Sequence, residues 1–86
     1  MKTIYEVKYI NNNAGTIGFF TSYKEIINYL NRNIDCFQPI DNEKFEYQKE
    51  KFTDIICLKV NYSENKKAVW KIEHIKIEKW ILNPTI

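Results

Sequence analysis

Alternating apolar and polar residues predict a long β-hairpin in the second half of the chain. From Ile55 to Tyr62 one face collects Ile56, Leu58, Val60 and Tyr62, and the other collects Ile55, Cys57, Lys59 and Asn61. Successive side chains of a strand point to opposite faces, so this pattern predicts a strand with one buried face. Residues 63–66 are turn formers, and Asn65 is the one best able to adopt a left-handed conformation. The return strand is predicted over residues 68–79.

The return strand changes the phase of its alternation part-way along. Its apolar residues are Val69, Trp70, Ile72, Ile75 and Ile77. Between Ile72 and Ile75 the pattern slips by one residue, and such a slip sends every later side chain to the other face unless an extra residue is absorbed. The sequence therefore predicts a β-bulge or bend at Glu73 and His74.

The first third of the chain predicts a second hairpin followed by a helix. Residues 3–10 alternate, residues 11–15 are a turn rich in Asn, and residues 16–21 form a short apolar strand. Ser22 and Glu25 have the spacing of a capping box at a helix N-terminus. The helix that follows carries one apolar face, with residues three and four apart: Tyr23, Ile26, Ile27, Leu30 and Ile34.

Residues 35–52 allow two interpretations. Pro39 prevents the helix from continuing through this segment. Asp41 or Asn42 can cap a second short helix, whereas residues 44–48 also fit a strand with Phe45 and Tyr47 pointing inward. At the other end, Pro84 cannot donate to a sheet, so residues 81–86 are predicted to be a C-terminal tail.

These elements predict one α+β domain spanning residues 1–86. The expected order is β-β-α-(short α or β)-β-β. We predict a small two-layer domain, in which an antiparallel sheet of about four strands, from two hairpins, packs on one amphipathic helix. A chain of 86 residues is the size of a single domain. The second face of the sheet is not uniformly polar, so either residues 35–52 or a partner is expected to cover it.

Charge and composition indicate the cellular compartment of the protein and the kind of organism that encodes it. Residues 35–54 carry six acidic and three basic side chains, whereas residues 55–86 carry six lysines and three acidic residues. The chain shows neither a secretory leader nor an apolar run of membrane-spanning length. We therefore expect a cytoplasmic protein in a bacterial host, with Cys36 and Cys57 reduced. Abundant Ile, Lys and Asn, which have AT-rich codons, favour an AT-rich bacterium or one of its phages or plasmids.

No motif in the sequence predicts catalysis, a metal or a cofactor. His74 is the only histidine, and no CxxC or HxxxH spacing accompanies it. Gly15 and Gly18 do not belong to a phosphate-binding loop, because the GK[ST] ending is missing. A single titratable residue without recognisable partners does not make a catalytic site, so the protein is expected not to be an enzyme.

Two charged stretches are candidate binding surfaces. The acidic middle would meet a basic surface of a larger bacterial protein or nucleoprotein complex, through Asp41, Glu43, Glu46, Tyr47 and Glu50. Tyr29, Tyr47 or Phe37 would be its aromatic anchors. The alternative is nucleic-acid binding by a lysine and tryptophan set, which combines phosphate contacts with base stacking: Lys66, Lys67, Trp70, Lys71, Lys76 and Lys79. A third hypothesis is a homodimeric structural or immunity-type protein that pairs through the edge of the final hairpin.

In size and composition, the chain resembles small accessory proteins of phages and mobile elements. Anti-defence inhibitors, anti-CRISPR proteins among them, share this combination of one compact α+β domain, many aromatic residues and no catalytic set. The likeness implies a protein-binding module that inhibits or modulates a larger bacterial protein by covering a surface.

Overall fold

A five-stranded antiparallel sheet and one helix make up the computed structural model of this chain, which describes residues 2–11, 15–41, 44–46 and 54–82. The elements follow in the order β1 Lys2–Tyr9, β2 Thr16–Phe20, α1 Tyr23–Arg32, β3 Phe37–Pro39, β4 Ile55–Glu64 and β5 Lys67–Leu82. Across the sheet the strands lie in the order β2-β1-β5-β4-β3. Both predicted hairpins and the predicted helix are present.

The long strand β5 joins the two halves of the sheet. Its first part pairs with β4 in an unbroken register from Glu64 opposite Lys67 to Ile55 opposite Lys76. Its last part pairs with β1, from Tyr9 opposite Ile75 to Lys2 opposite Leu82. The connecting turn has positive φ at Asn65 (51°) and at Lys66 (64°), as a two-residue hairpin turn of type I′ requires. The left-handed conformation predicted for Asn65 is confirmed.

The bulge predicted at Glu73 and His74 is wrong. The pairing with β4 continues through both residues without a shift, so the odd-numbered residues of β5 stay on one face and the even-numbered residues on the other. Ile72 therefore lies on the face opposite to Ile75. The apolar pattern changes phase because β5 carries apolar residues on both faces, and the backbone itself remains regular.

An irregularity does occur in the first hairpin. The register of β1 and β2 shifts between Val7, which lies opposite Gly18, and Lys8, which lies opposite Thr16. Ile17 is the extra residue, and it packs against the core. This β-bulge lets a strand of only five residues direct both Ile17 and Phe20 inward.

Local hydrogen bonds define both ends of α1. The Glu25 backbone N–H donates to Ser22 Oγ over 3.2 Å, which confirms the predicted N-cap. The Glu25 carboxylate accepts from the Thr21 N–H over 3.1 Å, one residue earlier than a capping box requires. This hydrogen bond lowers the pKa of Glu25. At the C-terminus the Asn33 N–H donates to the carbonyls of Tyr29 and Leu30.

The core lies between α1 and one face of the sheet. The helix contributes Ile26, Ile27 and Leu30, and the remaining buried residues come from the strands and from Phe45: Val7, Phe37, Leu58, Val60, Ile75 and Ile77. Ile34, predicted on the apolar face of the helix, lies beyond the end of α1 and is exposed.

The predicted fold class is wrong, because the structure contains more strand and less helix than predicted. Strands account for 61% and the helix for 14% of the described residues. The sheet has five strands and one short helix, whereas four strands packed on an amphipathic helix were predicted. The fifth strand, β3, is only three residues long and was too short to show an alternation. The ten-residue helix is about 15 Å long, whereas the 16 residues of β5 extend for about 50 Å. One helix therefore covers only part of one face.

The segment with two interpretations follows neither of them in its described part. Lys44, Phe45 and Glu46 form neither helix nor strand, and the rest of the predicted helix or strand lies outside the described residues. Phe45 is buried and belongs to the core. At the C-terminus, Ile81 and Leu82 belong to β5 instead of a tail, and residues 83–86 lie outside the described part of the chain.

Candidate functional site

The face of the sheet opposite α1, here called the open face, carries the even-numbered residues of β1 and β5 and the odd-numbered residues of β4. It also includes Thr16 and Phe19 of β2, which lie opposite Lys8 and Glu6, and Ile10, which follows β1. No described helix or loop residue that belongs to the core lies on this side, because α1 and Phe45 both pack on the other. Among the described residues, the open face is therefore formed by the strands, and no helix or loop residue of the core covers it.

Hydrophobic side chains concentrate on the open face. Ten large hydrophobic residues are exposed in the described part of the chain, and seven of them belong to this face: Ile10, Phe19, Ile55, Trp70, Ile72, Trp80 and Leu82. Phe19 and Ile72 are the most exposed, at 65% and 64%. The sequence predicted that the second face of the sheet is not uniformly polar, but the phase change at Ile72 was interpreted as a bulge and not as a sign that Ile72 lies on this face.

A charged strip crosses the middle of the open face. Glu6 lies opposite Glu78, and one row further along Lys8 lies opposite Lys76. Glu78 pairs with Lys8 and with Lys76, each over 3.2 Å. These two lysines lower the pKa of Glu78. Two positive and two negative side chains make the strip neutral.

Glu6 completes the hydrogen bonding of the charged strip. Its carboxylate accepts from Thr16 Oγ1 over 2.6 Å and from Trp80 Nε1 over 3.2 Å. Each carboxylate of the strip thus has two partners. Apolar groups flank the strip on both sides, with Ile4 and Trp80 toward one end of β5 and Ile10 and Ile72 toward the other.

A groove lies at the β3 end of the molecule and is called the acidic groove here after its exposed residue Asp41, although Lys59 also lines it. This cavity of about 500 Å³ is lined by Ile34, Pro39, Ile40 and Asp41 together with Asn31 and Lys59. Ile34 and Ile40 are exposed at 54% and 38%. Concave sites with an apolar lining and a few polar groups are typical of binding sites.

Asn31 fixes one wall of the acidic groove. Its side-chain amide donates to the Phe45 carbonyl and accepts from the Phe45 N–H, each over 2.8 Å. Because both backbone groups of Phe45 are held, the neighbouring Glu46 is carried on an anchored stretch of chain. Asp41 and Glu46 are both exposed, and neither forms an ion pair with another described residue.

The predicted acidic surface is only partly described. Asp41 lines the groove and Glu46 is exposed next to Phe45, whereas Glu43, Tyr47 and Glu50 fall outside the described residues. Two of the predicted aromatic anchors belong to the packing around the core. Phe37 is buried, and Tyr29 packs between Phe20 and Phe37, with ring centroids 5.2 and 6.3 Å away.

Comparison of the chain with protein-family models, with curated proteins and with solved structures finds no match.

The lysine and tryptophan set is divided between the faces of the sheet. Trp70 and Lys76 lie on the open face, whereas Lys67, Lys71 and Lys79 lie opposite Glu64, Val60 and Tyr5 on the helix side. Lys66 belongs to the turn. Lys71 pairs with Glu64 and lies 5.6 Å from the centre of the Tyr62 ring. The structure does not bring the six residues together on one surface.

Other titratable groups are placed singly or in pairs. Cys57 lies directly opposite His74 on the open face, whereas Cys36 lies in the turn before β3. Within the described residues, no three His, Cys, Asp or Glu side chains gather as metal ligands. Burial raises the pKa of Tyr9 to about 12, and Tyr62 and Glu73 contribute to the shift.

In the described part of the chain, α1 falls short of the length and hydrophobicity that crossing a bilayer would demand.

Proposed function

We propose that this chain is a small non-enzymatic protein-binding module that inhibits or modulates a larger bacterial protein or complex by covering part of its surface. The proposal includes a phage or mobile element as its source, the bacterial cytosol as its compartment and an anti-defence role, of which anti-CRISPR activity is one form. The size and composition of the chain support these choices.

The acidic groove is the observation on which this proposal rests. Exposed Ile34 and Ile40 offer apolar contact, and Asp41 places a carboxylate in the same concavity. Asp41 and Glu46 form no ion pair with another described residue, so a basic partner can pair with them. Lys59 lines the same groove and would face a polar or acidic group of that partner. A basic segment with an apolar side chain matches this combination, and opposite charges would accelerate its association.

The experiment compares two charge reversals of equal size. Asp41→Lys changes the groove, whereas Asp54→Lys changes an exposed acidic residue at the start of β4. Each tagged variant and the wild type are used to capture proteins from a bacterial lysate, and each retained protein is quantified by mass spectrometry. A specific target should be retained by the wild type and by Asp54→Lys, and lost with Asp41→Lys.

The purified target then gives the affinity and its salt dependence. Reversal at Glu43, Glu46 and Glu50 together should weaken binding further, and raising the salt concentration should weaken wild-type binding because exposed charges are screened. A target whose affinity is unchanged by Asp41→Lys and by the triple reversal would show that the acidic groove does not bind it.

A further inference from the structure

We propose that the open face is a self-association surface, on which a second copy of this chain packs face to face around a two-fold axis that runs across the strands. This inference does not depend on the proposed function, since the acidic groove lies at the β3 end of the sheet and the charged strip at its centre.

The exposed apolar area of the open face supplies more than half of what one side of a standard interface buries. An aromatic side chain offers about 150–250 Å², and an aliphatic side chain whose burial contributes about 1.5–3 kcal/mol offers about 60–120 Å². The seven hydrophobic residues of the open face are 38–65% exposed and together present on the order of 500 Å². A standard interface buries about 800 Å² on each partner, whereas the largest apolar patch on a monomer is typically about 300–600 Å².

The charge pattern identifies the partner as a second copy. A two-fold interface brings the same patch of both subunits together, so the patch must be complementary to itself. With the axis running across the strands between Glu78 and Lys76, the Glu6 and Glu78 row of one copy faces the Lys8 and Lys76 row of the other. The register of β1 and β5 places these rows next to each other.

The same axis matches the apolar groups that flank the charged strip. Counted along β5 from the axis, Leu82 is as far on one side as Ile72 is on the other, and on β1 Ile4 and Ile10 are related in the same way. These two pairs bring hydrophobic residues of the two copies together, whereas Trp80 faces His74 and Phe19 faces Thr16. A two-fold axis along the strands would instead set Glu6 against Glu78 and Lys8 against Lys76, which places like charges together.

The neutral strip makes burial of the open face tolerable. Burying a charge is costly unless it is paired and hydrogen-bonded. Glu78 already has two lysine partners, and Glu6 accepts from Thr16 and Trp80. The sequence predicted a dimer that joins through the edge of the final hairpin, whereas this arrangement uses the face and leaves both edges free.

The first test measures molar mass in solution without any other protein, by sedimentation over a range of concentrations. The wild type should show a mass of twice 10.4 kDa at high concentration. Ile72→Glu should raise the dimer dissociation constant at least about tenfold, since it places a carboxylate in the interface. Ile81→Glu is the matched control, because Ile81 is 58% exposed on the opposite face of the same strand, and it should leave the dissociation constant unchanged.

The second test uses charge exchange to establish the direction of the axis. The E6K/E78K variant and the K8E/K76E variant should each be monomeric, because each now faces its own kind of charge. An equimolar mixture should restore the dimer, since lysine rows then face glutamate rows. Circular dichroism of each variant verifies that it is folded.

Three results would overturn the inference. They are a monomeric wild type at high concentration, a dimer that Ile72→Glu does not weaken, and folded charge variants that fail to pair in the mixture. None of these results bears on the acidic groove, whose test is target capture by Asp41→Lys, so the two proposals stand or fall separately.

Discussion

On one face of the sheet β5 buries Ile75 and Ile77, which are 0% and 3% exposed, whereas on the other face its Ile72 and Trp80 are 64% and 51% exposed. Both pairs belong to the same regular strand, and their side chains differ only in the parity of their positions. The helix face is covered by α1 and Phe45, and the open face is covered by no described residue.

The two faces differ mainly in whether another part of the described chain packs on them, and less in their amino-acid composition. Both are rich in large hydrophobic residues, and none of the described residues buried on the helix face is charged. On the open face the charged strip divides the hydrophobic residues into two groups. Charged residues placed within an exposed strand are a known means of limiting uncontrolled aggregation. The strip therefore favours a specific partner in a fixed register over indiscriminate association.

The largest expected effect comes from truncating the same residue type on the two faces. Ile75→Ala should destabilise the fold by about 2–5 kcal/mol, because it opens a cavity in the core. Ile72→Ala should change the stability of the monomer by no more than about 0.5 kcal/mol, as exposed sites usually do. Urea denaturation at low protein concentration measures both. If Ile72→Ala proved as destabilising as Ile75→Ala, the chain would cover its open face itself.

The predictable part of the fold is the part with local signals. Alternation predicted β1, β4 and β5, the Ser22 cap and the apolar spacing predicted α1, and the conformational freedom of Asn65 predicted the turn. Each of these signals acts within a few residues of sequence, so it can be recognised without knowing what lies nearby in space.

The errors concern features that depend on distant contacts. β3 exists because residues 37–39 meet residues 58–60 of β4, and Phe45 is buried because Asn31 holds its backbone. The phase change in β5 was interpreted as a bulge because this one strand was assumed to keep a single apolar face along its length. For the candidate site, the sequence located Asp41 and Glu46 but not the groove, which depends on the folded path around β3.

A second effect should follow from releasing Phe45, the part of the helix-side cover that lies outside α1. Asn31→Ala removes both hydrogen bonds to the Phe45 backbone and should cost about 1–3 kcal/mol, since these groups are partly buried. Urea denaturation gives the stability, and hydrogen exchange at the Phe45 amide reports the local release. Lys24→Ala, at an exposed position of the same helix, is the control. Unchanged exchange at Phe45 would show that its burial alone holds the segment.

The smallest effect should come from acid, and it should act on the open face. The nearby Lys8 and Lys76 hold the pKa of Glu78 below its ordinary value of 4.5. A carboxylate whose pKa is lowered by folding stabilises the protein above the unfolded pKa, and this contribution is lost as the pH falls through the folded pKa. The wild type should therefore lose more stability than Glu78→Gln when the pH is lowered from neutral to below 4.5.

Urea denaturation of the monomer at several pH values measures this difference. NMR titration of the Glu78 carboxyl group should give a midpoint below 4.5. High salt should reduce the difference between wild type and Glu78→Gln, because it screens the attraction between the exposed carboxylate and the lysines. If the stability of the two proteins changed in parallel at every pH, the charged strip would not stabilise the monomer. The charges would then act only in contact with a second molecule.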